Sequence, residues 1–159
     1  MTEPFFDLFQ AASRIGEAVA IEDALFRLFG SAPRRELGAR EAVYFHVASR
    51  AHGELSEVFA ARLPVSASLP VEQFSGVASP LGAAAMAAIS AAEGEANTAE
   101  TFLAFIVAEV IPAVQRSYED TFSLTTPHSD GPFRVVLDRA LGLLEGDQDL
   151  FTEALTSLR

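Results

Sequence analysis

Apolar residues recur at intervals of three and four along almost the whole chain. Leu8, Ala12, Ile15, Val19, Phe26 and Phe29 form one such stripe, and Leu37, Phe45, Ala48, Leu55 and Phe59 a second. Phe133, Leu137, Ala140, Leu144, Phe151, Leu155 and Leu158 form another near the end. This spacing repeats one face of an α-helix. No segment alternates with period two for long enough to make a strand. The pattern therefore predicts an all-α chain with helices over about 3–29, 33–62, 80–92, 97–122 and 132–158. Gly30 reads as a helix stop, Ser31 and Pro33 as the next start, and Asn97-x-x-Glu100 as a capping box. Pro112 falls inside the fourth helix and should kink it, because proline lacks an N–H and crowds the preceding turn.

The connections limit how these helices pack. The turns near residues 30 and 127 are short, so each joins two antiparallel helices. Residues 63–79 hold Pro64, Pro70, several Ser, Gly76 and a single charge, Glu72. This segment reads as a crossover that spans the molecule. Two hairpins joined by a long crossover is a known four-helix-bundle connectivity, here with one additional short Ala-rich helix. The chain has 159 residues, which fits one domain over residues 1–159.

Composition removes several kinds of function. There is no Cys, which excludes disulfides, thiolate metal sites and cysteine nucleophiles. The net charge of −11 makes nucleic acid and anionic membrane poor partners. The longest uncharged stretch, residues 73–92, is Ala- and Ser-rich with Pro80 inside it, so no membrane span is expected. Met1–Gln10 carries Glu3 and Asp7 instead of a basic start, and the expected location is the cytoplasm. No G-x-S-x-G, Walker A, G-x-G-x-x-G or H-E-x-x-H sequence occurs.

What remains are polar residues on apolar stripes. Glu22 lies three after Val19 and four before Phe26; Glu41 lies four after Leu37 and four before Phe45. Glu109 follows Phe105 by four, and Asp147 follows Leu144 by three. A carboxylate in such a position is costly unless it is paired, hydrogen-bonded or bound to metal. Heights along the helices bring Glu22 level with Glu41, and Glu109 level with Glu145 or Asp147. For Glu22 the bland alternative is a boundary carboxylate paired with an Arg such as Arg27, or with a neighbouring helix. His52 reads as a hydrogen-bonded interior imidazole, while Tyr44 and Tyr118 each need a hydroxyl partner if buried. Phe5, Phe6, Phe9, Phe26 and Phe29 are expected in the core, any exposed remainder marking a dimer face.

The sequence E-D-A-L-F-R-L-F-G (22–30), H-G-E-L (52–55) with R-L-P (62–64), I-P-A-V-Q-R-S-Y (111–118) and D-G-P-F-R-V-V-L (130–137) resembles the ferritin-like superfamily. It is most similar to bacterial members of unassigned activity with degenerate metal-ligand motifs. The resemblance covers nearly the whole chain. It implies a ferritin-like four-helix bundle. Di-metal members use a Glu from each of two helices and Glu-x-x-His from each of the other two. Carried over, these positions are Glu22, Glu41, Glu109 and Asp147 (or Glu145). The motif histidines are replaced by Tyr44 after Glu41 and Leu150 after Asp147, or Gln148 after Glu145. The Trp residues that flank the family His are absent, and Ser49 stands where a second His often falls.

Three expectations follow. The first is a binding or scaffold module without a di-metal centre, forming a homodimer and taking a small apolar ligand. The second is a His-poor di-metal oxidase or oxygenase with iron or manganese on Glu22, Glu41, Glu109 and Asp147. The third is a metal-free enzyme with Glu22 or Asp147 as general base. The Phe-rich first helix and the kinked fourth helix are where a pocket is expected.

Overall fold

The computed structural model describes residues 6–95 and 98–159. The described residues form five helices and no strand. They are α1 (Leu8–Ser31), α2 (Ala39–Ala60), α3 (Pro80–Glu95), α4 (residues 99–124) and α5 (Gly131–Ser157). The expected helix start at residue 3, the core position of Phe5 and the cap at Asn97 lie outside the described residues. No described helix is long and apolar enough to cross a membrane.

Each end has a local cause. Asp7 caps α1 by accepting from the Gln10 N–H at 2.7 Å, and Gln10 returns the bond at 3.1 Å. Gly30 does not stop α1, which runs on to Ser31. Pro33 then sits in a 3₁₀ turn, Ala32–Arg35, and Glu36 adopts a left-handed φ of 57°. That reversal delays α2 to Ala39, later than the sequence pattern suggested. On α4 the cap is Thr98, whose hydroxyl accepts from the Thr101 N–H at 3.1 Å.

The Pro112 disturbance takes a specific form. The backbone widens into a π-helical turn over Ile106–Val110, and the Ile111 N–H bonds the Ile106 carbonyl. In that register the partner of the Val107 carbonyl would be the N–H of residue 112, which proline lacks. The Gln148 amide of α5 supplies the donor instead, 3.1 Å from the Val107 oxygen.

α1 lies along α2; α5 packs on α2 and α4; α3 packs on α4 and α1. The core between them is aromatic at one level: Phe45 stacks on Phe151 at 4.4 Å, and Phe29 meets both edge-on or tilted. The crossover is pinned to α1. A Cβ at Gly16 would fall 1.6 Å from the Phe74 carbonyl oxygen, so only glycine permits that close passage. Next to it, the buried Glu17 carboxylate accepts from the Ala78 and Ser79 N–H groups and the Ser79 hydroxyl, at 2.6, 2.7 and 2.8 Å. A carboxylate here also complements the positive N-terminal end of α3.

Candidate functional site

The seam between α1 and α2 is built from small residues. Ser49, Gly53 and Ser56 face α1 on either side of His52. The Ser49 hydroxyl donates to the Phe26 carbonyl at 2.8 Å, and the Ser56 hydroxyl to Asp23 at 3.2 Å. A Cβ on Gly53 would already touch the Phe26 ring at 3.1 Å. This close approach carries the His52 ring in between the helices, where it is fully buried.

Four helices each contribute one polar side chain at this level. His52 of α2 faces Glu22 of α1 through Nδ1, 2.6 Å from Oε2. Its Nε2 faces Asp147 of α5, 2.9 Å from Oδ2. Tyr118 of α4 donates its hydroxyl to Glu22 Oε1 at 2.6 Å. All four residues are buried. Phe29 closes one side of the imidazole, edge-on at 5.3 Å, and Phe59 lies 6.1 Å from the Tyr118 ring.

With both carboxylates ionised, the geometry calls for one protonation state. A neutral imidazole has one ring nitrogen with a lone pair, which would point at a carboxylate oxygen within hydrogen-bonding distance. Only the doubly protonated imidazolium donates to both Glu22 and Asp147. Burial alone would lower the His52 pKa. The Glu22 charge, the hydrogen bonds to Asp147 and Glu22, and the Asp147 charge outweigh it and push the value up to about 9. Burial holds the Tyr118 hydroxyl well above its ordinary range, and the neighbouring Glu22 charge and hydrogen bond add to this. The result is a cation held between two anions, with a phenol completing the shell of one of them.

The structure brings together Glu22, His52 and Asp147 of the residues expected in the interior, and adds Tyr118. Glu41 is buried but eleven residues from His52 along α2, about 16 Å away along the axis. Its carboxylate lies against Gly38 at the start of its own helix. Tyr44 is half-buried at the same end, accepting from Arg40 Nε at 2.7 Å. Glu109 corrects the expectation of an interior carboxylate: it is exposed, because the π turn places Ile106 and Val110 on the core side instead. Glu145 is exposed as well. Glu22 pairs with neighbouring helices through His52 and Tyr118, not with Arg27, which lies 3.6 Å from Asp23. Phe29 is buried, whereas Phe9 and Phe26 are about half exposed and Phe6 is partly buried. His46 and His128 are exposed.

These positions do not fit the four-carboxylate di-metal arrangement. Glu109 is exposed, Glu41 is out of reach, and Glu22 and Asp147 are each bonded to a different nitrogen of His52. Among the described residues no three His, Asp or Glu side chains converge on one point as metal ligands would. Glu22 and Asp147 approach opposite edges of one ring, so the imidazole separates them. Comparison with protein-family models, curated proteins and solved structures found no match to this chain.

Proposed function

We propose that the chain is a ferritin-like helical bundle acting as a binding or scaffold module, its centre closed by an ion-paired network where related bundles hold two metals. The observation that carries this reading is the double engagement of His52. Both ring nitrogens face carboxylates, and both oxygens of Glu22 are taken, one by His52 and one by Tyr118. A cation in the form of an imidazolium thus already neutralises the acids that a metal would use. The same saturation speaks against Glu22 as a general base, which needs a free carboxylate oxygen facing a substrate, while Asp147 is buried with one oxygen held on His52. Three surface clefts are lined by other residues.

The test is metal content by mass spectrometry after anaerobic incubation with Fe(II) and Mn(II), on protein purified without a His-tag. The expected result is a substoichiometric trace in both wild type and Glu22→Ala. Two metal ions per chain in wild type, lost in Glu22→Ala, would overturn the reading in favour of a di-metal centre and make oxygen consumption the next assay.

A further inference from the structure

Large apolar side chains remain in water at one end of the molecule. Phe9 is 53 % exposed and Val77 50 % exposed. Together with Phe6, Phe74 and Leu124 they line a cleft of about 510 Å³ between the start of α1, the crossover and the end of α4. That size falls within the range of small-molecule sites. Phe9 and Phe74 meet edge-to-face at 5.3 Å, so two rings of the wall are already ordered relative to one another. The wall is anchored from behind. Phe74 is buried against α1, and Glu17 ties the adjoining residues 78 and 79 to the same helix.

The polar groups of the cleft define what it would accept. Gln10, Ser13, Gln73 and Ser75 are uncharged, and among the described residues the one charged side chain on the lining is Arg14. Its guanidinium lies 5.9 Å from the Phe6 ring centre and is neutralised on its far side, 3.2 Å from Asp120 and 3.5 Å from Glu17. Two acids against one base leave no net positive charge to attract an anion, and the net charge of −11 repels one at long range. Among the described residues no acid lines the cleft to hold a cation. Two other clefts are lined by charged residues: Asp23, Arg50, Glu54 and Glu57 in one, Arg27, Arg34, Arg35 and Glu93 in the other.

The geometry points to a binding site for a small uncharged molecule with an aromatic or compact apolar body and an oxygen acceptor. The body packs among Phe6, Phe9, Phe74 and Val77, and the acceptor takes a donor from Arg14 or the Gln10 and Gln73 amides. This site rests on the reading of the chain as a binding module and gives that reading a ligand class.

The test is fluorescence titration with 6-propionyl-2-(dimethylamino)naphthalene, a neutral aromatic probe with a ketone oxygen, beside the anionic 1-anilinonaphthalene-8-sulfonate. The neutral probe is expected to saturate at one per chain, with a Kd on the order of micromolar, and to bind tighter than the anion. Ser13→Trp, which fills the cleft, is expected to raise that Kd by about tenfold or more. Val77→Asp, a change at a half-exposed loop position that leaves the helices untouched, should do the same, while Val135→Ser on α5 leaves it unchanged. Non-saturating binding, an unchanged Kd in a folded Val77→Asp, or tighter binding of the anion would each overturn the assignment. Failure here leaves the metal measurement standing, and two metals per chain would overturn the module reading while leaving a saturable titration intact.

Discussion

Raising the pH from 6 to 10 should remove the stabilisation that the His52 network supplies. The unfolded imidazole titrates near 6.5, and in the fold its value is raised to about 9. A raised cation stabilises the fold fully below the unfolded value, loses that contribution as pH climbs from about 6.5 to 9, and contributes none above. At about 1.4 kcal/mol for each pH unit, the difference amounts to about 3 kcal/mol, a large share of the 5–15 kcal/mol typical of a domain. Tyr118 acts in the same direction at still higher pH, since the fold opposes its ionisation. Urea unfolding followed by circular dichroism at half-unit pH steps measures the curve directly. Asp147→Asn keeps a side chain of the same shape on Nε2 but removes one of the two charges, so it should shrink the pH-dependent loss. His52→Gln should abolish the loss, at a cost of about 3–5 kcal/mol at neutral pH for leaving the two acids without their cation. Nitrogen chemical shifts of His52 provide an independent reading, with both ring nitrogens protonated at pH 7. A flat stability curve between 6.5 and 9, or an undiminished slope in His52→Gln, would refute the imidazolium bridge.

Three further outcomes follow from contacts outside or beside that bridge. Tyr118→Phe removes only the hydroxyl bonded to Glu22 and should cost about 1.5–3 kcal/mol, the range for a hydrogen bond to a charge; a loss below about 0.5 kcal/mol in urea unfolding would count against it. Glu17→Ala strips the acceptors from residues 78 and 79, so amide exchange at those two positions should accelerate and stability fall by about 1.5–3 kcal/mol; unchanged exchange there would show that the crossover is held by something else. Gln148→Leu leaves the Val107 carbonyl without its donor at a cost of about 1–3 kcal/mol, and Pro112→Ala should reduce that cost by restoring a backbone N–H; equal costs in both backgrounds of a double-mutant cycle would sever the proposed link.

How far the sequence disclosed this arrangement differs between helix faces and partners. The three-and-four spacing predicted the helices because burial of one stripe dominates their packing, and the same reasoning marked Glu22 and Asp147 as acids in need of compensation. It could not say what compensates them. Glu22 was level with Glu41 by counting from the turn at residue 30, but that count assumed a helix starting at Pro33. The left-handed Glu36 and the start at Ala39 alter the register, and His52 is the α2 residue that meets Glu22. A signal for this was present in the small residues Ser49, Gly53 and Ser56, which surround His52 at helical spacing and let the helices approach closely. Glu109 failed for a different reason. Its stripe was drawn on an uninterrupted α-helix, whereas the residue inserted by the π turn before Pro112 rotates the face and exposes it. Local propensity thus shows that an interior acid requires a partner, and the choice among Arg, His⁺ and metal is made by register between helices. In this chain one imidazole reaching two acids from opposite edges satisfies both at once, a solution that neither acid's own neighbours along the chain could have announced.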